Sequence, residues 1–480
     1  MRLMEALRNI EKEKLISFHM PGHKNGRMLF NTDESLMHYD ITEIPGADHL
    51  HDSEACILET EQEIAKTYGA KQSRILVGGS TVGILSMILG TTKPGDRILV
   101  NRNAHKSVYN AIEINGLIPV YIYPEIDNYL GIPVAFDFSR FYSENSTVFD
   151  DIKICVLTYP TYEGLCYPIE EMIDRCHQHG IPVLVDEAHG AHLFLHEKGP
   201  KSALTLGADI VVQSFHKTLP AMTQTACLHI SESNILSEYQ MDKIDWYLKS
   251  LQSSSPSYVL MASIDQMLEI IKSIGVQYTK QLENNIEHFY ISVSDLKHVH
   301  LMRLESMDVS KIIISISPLS YRYGIWDGYT LYKKLRTDFG IQCEYDSEKM
   351  ILLMTSFCNN TEDFEALTDA LQKLDLYRTS LESEGTIIVE EDLKTEKMGS
   401  GNFQSIYDAL SGQNIYRMNA FEATQLCWES VFLNDAIGKV SAEYVIPYPP
   451  GIPILVPGEL ILKETLLLFP KSKDKIKIIK

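Results

Sequence analysis

Short apolar runs separated by segments of helical period dominate the chain between residues 74 and 212. Six runs have the length and the β-branched content of buried strands, at residues 74–77, 97–100, 119–122, 154–157, 183–185 and 210–212. Strands that alternate with helices, and that are apolar throughout rather than at every second position, are typical of a parallel sheet covered on both faces. The pattern therefore predicts an α/β large domain with a mostly parallel sheet.

A second, smaller group of elements follows a helix that is predicted to begin near Tyr258. It contains an apolar strand at 311–316, a helix at about 326–339 and a strand at 350–354. Asn360 and the acidic residues after it are suited to cap a further helix. These elements predict a small α/β domain.

The chain has 480 residues, more than one hydrophobic core usually serves. A polar, charged and glycine-containing stretch at 381–405 is typical of a linker. The predicted division is an N-terminal arm at 1–50, a large domain at 51–265, a small domain at 266–380, the linker, and a C-terminal α+β domain at 406–480.

The net charge of −21 argues against nucleic acid or an anionic membrane surface as a partner and suits a small cationic substrate. The eight cysteines form no Cys-x-x-Cys pair and are expected to be reduced. The N-terminus has no apolar signal region, and no stretch approaches the length of a membrane span. These features predict a cytoplasmic protein.

Lys217 follows the buried strand at 210–212, in the sequence Ser214-Phe215-His216-Lys217. A lysine among apolar neighbours is partly deprotonated because desolvation disfavours the ammonium, so its free amine can attack an aldehyde. The simpler interpretation is a solvated loop lysine. A second signal favours the chemical interpretation: the strand at 183–185 ends in Asp186, where open α/β sheets bind ligands.

Pyridoxal 5′-phosphate (PLP) requires such a pair, a lysine for its aldehyde and a carboxylate for its pyridine nitrogen. A phosphate site is also predicted, where Gly79, Ser80 and Thr81 stand between an apolar run and a helix. Backbone N–H groups at a helix N-terminus bind phosphate without a cation. Taken alone, these residues could equally form a plain turn and a helix cap.

Several segments together resemble the bacterial ornithine/lysine/arginine decarboxylases, which are PLP-dependent enzymes of the aspartate-aminotransferase fold (fold type I). The matching segments are 17–26, 101–107, 158–164, those around Asp186 and Lys217, 253–258 and 447–453. They run in family order along nearly the whole chain. The match is to the short Gram-positive-type members that lack an N-terminal wing domain.

The resemblance implies that Lys217 forms the Schiff base, Asp186 pairs with the pyridinium nitrogen, and His105 stacks on the ring. It implies that Ala188 packs on the other face of the ring. It also assigns residues to the phosphate: Gly79, Ser80, Thr81, Ser214, His216 and, from the neighbouring subunit, Ser253. A phosphate contact from Ser253 would require a homodimer or higher homo-oligomer with shared active sites.

The resemblance implies decarboxylation of arginine, lysine or ornithine to agmatine, cadaverine or putrescine, respectively, with release of carbon dioxide. The reaction would proceed through an external aldimine and a quinonoid, and its product would serve polyamine biosynthesis. Two alternatives stay open: an aminotransferase or other PLP enzyme of this fold, and a catalytically silent relative. An aminotransferase would need an arginine that holds the substrate carboxylate, whereas a carboxylate that must leave should not be clamped.

The remaining candidates concern the substrate and metals. Glu443 and Glu459 flank the proline-rich turn at 447–453 and are candidates to bind the distal cation of the substrate, although such residues are more often structural. Glu163 and Pro220 depart from the family pattern, and either could tune substrate choice. The histidine pairs 19 and 23, and 189 and 192, match no His-Glu-x-x-His motif, and no metal is expected.

Overall fold

A computed structural model describes residues 16–18, 47–233, 235–304, 306–317, 320, 326–383, 415–447, 451–469 and 473–480. Most of the predicted arm, including His19 and His23, and almost all of the predicted linker lie outside the described residues. The domain bounds given above therefore stay predictions.

The described elements alternate between strands and helices over most of the chain. The strands are β1 Ile16–Ser17, β2 Gln72–Leu76, β3 Arg97–Asn101, β4 Ile118–Ile122, β5 Glu125–Ile126, β6 Pro133–Ala135, β7 Ile152–Thr158, β8 Val183–Asp186, β9 Ile210–Ser214, β10 Ala226–Ile230, β11 Val299–Met302, β12 Lys311–Ile316, β13 Ile341–Gln342, β14 Tyr345–Asp346, β15 Met350–Met354, β16 Trp428–Phe432 and β17 Lys475–Ile479. The α-helices are α1 Cys56–Tyr68, α2 Gly79–Thr91, α3 Lys106–Ile114, α4 Phe138–Asn145, α5 Glu170–Gln178, α6 Phe215–Thr218, α7 Glu238–Leu251, α8 Tyr258–Ile270, α9 Val276–Ser292, α10 Gly328–Phe339, α11 Thr361–Ser383, α12 Ala420–Gln425 and α13 Lys463–Leu466.

The large sheet has seven strands in the order β2-β10-β9-β8-β7-β3-β4. Its strands are parallel except β10, which pairs antiparallel with both β2 and β9. This confirms the predicted mostly parallel α/β sheet, and each of the six apolar runs forms a strand of it. The antiparallel strand β10 was not predicted. The parallel arrangement brings the carboxyl ends of β2, β3, β7, β8 and β9 to one edge.

Each central strand is buried on both faces, which explains its continuous apolar run. Along β8, Val183 and Val185 face one hydrophobic core, and Leu184 between them faces the other. Successive side chains of a strand point to opposite faces, so a run without polar interruption is required when both faces are covered. Helix α8 packs on the first face, and helices α2, α3 and α7 pack on the second.

The smaller unit has a four-stranded sheet in the order β11-β12-β15-β14, and all of its pairings are antiparallel. Its two central strands coincide with the predicted runs at 311–316 and 350–354. Helices α9, α10 and α11 supply a core with residues such as Ile286, Leu335 and Leu367. The predicted strands and helices of this unit are thus present, whereas the antiparallel pairing of its strands was not predicted.

The C-terminal residues form an antiparallel pair, β16 with β17, over a small core of their own that includes Val445, Leu455 and Ile476. Ala420 and Val456 instead join the core of the large sheet, so this unit packs directly on the large domain. Among the described residues, no helix combines the length and the apolar character that a bilayer span requires.

Candidate active site

The loops that leave the strands at one edge of the large sheet carry most of the predicted site residues. Asp186 ends β8, Ser214 ends β9, and Lys217 lies in the short helix α6 that follows. Asp186 is in register with Val212 of β9, so the two segments leave the sheet side by side. Ligands of open α/β sheets bind at this edge.

Lys217 is partly buried, and its Nζ lies 2.9 Å from Nε2 of His189. Burial lowers the pKa of Lys217 to about 8, while the negative charges of Asp186 and Glu344 oppose this shift. A lysine of ordinary pKa would be almost wholly protonated near neutral pH, whereas Lys217 keeps a useful fraction of free amine. This matches the requirement for attack on an aldehyde.

Asp186 is buried, and its Oδ1 accepts a hydrogen bond from the backbone N–H of Ala188 at 3.1 Å. Burial raises the pKa of Asp186, and the positive charge of Lys217 opposes the rise. A carboxylate in such a place is suited to a cationic partner such as a pyridinium N–H, because pairing offsets the cost of desolvation. Ala188 is itself buried beside it.

His105 caps the N-terminus of α3, which follows β3. Its Nδ1 accepts a hydrogen bond from the backbone N–H of Ser107 at 3.3 Å and lies 2.9 Å from the Ser107 Oγ. Burial, together with the positive charges of Lys217 and Lys106, lowers the pKa of His105 to about 4. The ring is therefore neutral near pH 7, so that stacking on a heteroaromatic ring would bury no additional charge.

Helix α2 begins at Gly79, immediately after β2 and the capping residue Gly78. Gly79 has a φ of +75°, and a Cβ placed there would meet no atom within 4 Å. The open space beside a helix N-terminus suits a phosphate group. Ser80 is partly buried and Thr81 exposed in the first turn, as expected for hydroxyls that can reach a ligand.

Two further predicted phosphate residues flank Lys217. The Ser214 Oγ is buried, and no other atom of the described residues forms a hydrogen bond with it. His216 is partly buried, and its Nδ1 lies 2.9 Å from the backbone oxygen of Thr225. A buried hydroxyl without a partner is costly unless a ligand satisfies it. The residues that the chain offers thus fit PLP.

Ser253 lies outside this group of residues, just beyond the end of α7, and it is exposed. Its Oγ contacts the backbone of Ser255, and its carbonyl oxygen lies 2.8 Å from Nε2 of His51. A contact with the phosphate of a neighbouring subunit stays a prediction, which the exposure of Ser253 permits.

The two candidate substrate carboxylates are both paired with cations of the chain itself. Glu443 Oε1 lies 3.0 Å from Nζ of Lys473. Glu459 is 1% exposed, and its Oε2 lies 3.1 Å from an Nη of Arg102. Both contacts give these residues structural partners, and their predicted role toward a substrate is untested.

Three residues near Lys217, namely His189, Tyr162 and Glu344, were not assigned to the cofactor site from the sequence. The His189 ring lies 5.1 Å from the Tyr162 ring in an edge-to-face arrangement, and the Tyr162 hydroxyl donates to Glu344 Oε1 at 2.9 Å. His189 and Tyr162 belong to segments that carry the family resemblance. Glu344 comes from the small unit, so only the folded chain brings it to this site.

Glu163 follows Tyr162 and is buried, and burial raises its pKa. Its Oε2 has no hydrogen-bond partner among the described atoms. Pro220 is buried just after α6. Of the histidines considered for a metal, His189 binds Lys217, and His192 lies 3.0 Å from the buried carboxylate of Asp308.

A lysine, a carboxylate, a neutral histidine and a glycine-containing helix start lie along one edge of the large sheet, a combination typical of PLP-dependent enzymes of fold type I. The model of the family described as Orn/Lys/Arg decarboxylase, major domain, matches residues 2–329, and the model of its C-terminal domain matches residues 403–470. The chain belongs to the Orn/Lys/Arg decarboxylase family, as the motifs implied, and it is a PLP-dependent amino-acid decarboxylase.

Known relatives are similar over nearly the whole chain. A Bacillus subtilis protein, YaaO, is 36% identical over 97% of this chain and 92% of its own length. The arginine decarboxylase of the same organism is 30% identical over 98% of this chain and 93% of its own length. The constitutive lysine decarboxylase of Escherichia coli has the same fold, with a TM-score of 0.73 at 19% identity over 99% of this chain and 81% of that structure.

Proposed function

We propose that this enzyme decarboxylates a basic L-amino acid, with arginine as the first candidate, to the corresponding amine and carbon dioxide. The observation that carries the proposal is the placement of Lys217 and Asp186 at the sheet edge where the neighbouring strands β8 and β9 end. The amine there has a pKa of about 8, and the carboxylate is buried. The arginine decarboxylase of Bacillus subtilis, 30% identical, supports the choice of arginine.

PLP, when bound, supplies the aldehyde and the electron sink for the bond that breaks. In this proposal Asp186 holds the proton of the pyridine nitrogen, and the neutral ring of His105 packs against the cofactor. Lys217 holds the cofactor until a substrate amine replaces it. Nε2 of His189 lies 2.9 Å from the Nζ of Lys217, and a hydrogen bond between them would orient the amine.

Decarboxylation and transamination place opposite demands on the substrate carboxylate. A transaminating enzyme would hold the substrate carboxylate with an arginine throughout the reaction. The charge of Glu344, which acts on Lys217, further suits a cationic substrate.

We also propose that the enzyme is a cytoplasmic homodimer, or a higher homo-oligomer, in which Ser253 reaches the phosphate of the neighbouring site. The position of Ser253, exposed and apart from the other phosphate residues, supports a contact across an interface. We propose further that the amine produced by the enzyme is used in polyamine biosynthesis.

The test is amine and carbon dioxide formation from L-arginine, L-lysine and L-ornithine by the PLP-loaded protein, alongside Lys217→Ala. Lys153→Ala, which removes an exposed lysine of β7, is the matched control. We expect one substrate to give equal amounts of amine and carbon dioxide with the wild type and the control, and none with Lys217→Ala. Keto-acid formation would instead support an aminotransferase, and PLP binding without any product would support a silent relative.

A further inference from the structure

The segment between β3 and α3, which presents His105, is held by the C-terminal unit. Arg102 Nη1 donates to the backbone oxygen of Pro453 at 2.7 Å, and Nη2 donates to that of Ile454 at 3.0 Å. Nη2 also lies 3.1 Å from Oε2 of Glu459. One arginine of the large domain thus binds three groups on a single C-terminal segment.

The Arg102–Glu459 ion pair is enclosed on all sides. The side chains are 5% and 2% exposed, and the guanidinium lies over the rings of Tyr109 and Tyr121, at 5.6 and 5.2 Å from their centroids. Oε2 of Glu459 also accepts a hydrogen bond from the N–H of Val456 at 2.9 Å. Buried pairs of this kind add little net stability over apolar residues but specify one geometry, which suggests a positional role.

A second contact holds the other side of His105. The backbone N–H of Lys106 donates to the carbonyl oxygen of Gly451 at 2.9 Å. His105 therefore stands between two attachments to the C-terminal unit, at Arg102 and at Lys106. With its backbone held at both points, the ring has little freedom to shift relative to Lys217, whose charge already acts on it.

We propose that Arg102 and Glu459 are positioning residues, through which the C-terminal unit sets the place of His105 in the cofactor site. The inference rests on the role proposed above for His105. It gives Glu459 a task different from binding the substrate cation, since its carboxylate is buried and its Oε2 is bound by Arg102 and by the N–H of Val456. It also gives the C-terminal unit a direct part in forming the active site.

Two variants test the positioning role. Glu459→Gln removes the carboxylate charge at nearly constant shape, and Arg102→Lys removes the planar guanidinium that binds several groups at once. Asp151→Asn and Arg97→Lys are the matched controls, because Arg97 begins β3, the strand that Arg102 follows, and pairs with exposed Asp151 at 3.4 Å. For each variant we would measure PLP affinity, the circular dichroism of the bound cofactor, kcat, KM and thermal unfolding.

We expect Glu459→Gln and Arg102→Lys to weaken PLP binding and lower kcat by about tenfold or more, because small displacements of site groups have effects of this size. KM should stay within about twofold, and Glu459→Asp, which keeps the charge, should recover part of the loss. Both controls should match the wild type. A rise in KM with unchanged PLP affinity would instead make Glu459 a substrate residue and overturn the proposal.

A double-variant cycle separates positioning from a general structural role. If Glu459 acts through His105, then Glu459→Gln should have little further effect on PLP affinity in a His105→Ala background. Equal losses in both backgrounds would overturn the proposal. Should Glu459→Gln not fold, Arg102→Lys takes its place in the cycle. Because the cycle measures PLP affinity, it remains decisive even if the wild type releases no carbon dioxide, an outcome that would refute only the proposed function.

Discussion

The lowered pKa of Lys217 leads to a quantitative prediction for the apoprotein. With a pKa of about 8, roughly one tenth of the side chain is free amine at pH 7, compared with roughly 0.03% for a lysine of ordinary pKa. At equal nucleophilicity, Lys217 should therefore capture an aldehyde about 300 times faster than a solvated lysine does at that pH.

The assay is stopped-flow absorbance after apoprotein is mixed with PLP, over a range of about pH 6 to 11.5, which includes the pKa of Lys217 and that of an ordinary lysine. The observed rate should rise roughly tenfold per pH unit below about pH 8 and level off above it. The same measurement with Nα-acetyl-lysine, which has a free side-chain amine, corrects the rates for ionisation of the aldehyde itself. Lys217→Ala should give no fast phase, and Lys153→Ala should match the wild type.

The variant Glu344→Gln tests how the charge of Glu344 affects the pKa of Lys217. The charge of Glu344 raises the pKa of Lys217, so its removal should move the bend in the profile to lower pH. A wild-type rate that keeps rising past pH 9 without a bend would refute the reasoning, since Lys217 would then titrate like a solvated lysine. A bend that moved upward in Glu344→Gln would refute the assigned cause.

Two further predictions concern stability. Gly164→Ala should lower the free energy of unfolding, measured in urea, by about 2 kcal/mol or more. The reason is that Gly164 has a φ of +99° and a Cβ there would lie 2.6 Å from Cγ of Lys311. A loss below about 0.5 kcal/mol would contradict this prediction. Burial raises the pKa of Glu61 to about 7, so the native state binds more protons than the unfolded state between about pH 4.5 and 7. Unfolding free energy should fall across that window by up to about 3 kcal/mol, and Glu61→Gln should reduce this fall; identical pH profiles would contradict it.

Local pattern was enough to predict most of the fold. The runs at 183–185 and 210–212 are apolar at every position, as expected for strands of a sheet that is covered on both faces. Strand β10 was missed because its sequence, Ala226–Ile230, follows a loop and includes His229, a buried residue that bonds to Ser73 and Gln213. The satisfaction of that polar side chain depends on neighbouring strands and cannot be read locally.

The same limit applies to the candidate site. The positions of Lys217 and Asp186 could be predicted because Asp186 ends one recognisable strand and Lys217 closely follows another. The contact of His189 with Lys217 depends on how two loops pass each other, and Glu344 reaches the site only through the packing of the small unit. The contact of Glu459 with Arg102 likewise depends on the packing of distant segments, and the predicted role of Glu459 toward a substrate stays a prediction.

The most direct test of the central claim is borohydride reduction of the PLP-loaded protein, followed by peptide mapping. Reduction converts a lysine–cofactor linkage into a stable secondary amine, which marks the lysine that held the aldehyde. We predict that the pyridoxyl mass lies on the peptide containing Lys217, with one label for each active chain. A fully active preparation whose label lies on another lysine, or that carries no label, would contradict the assignment of Lys217.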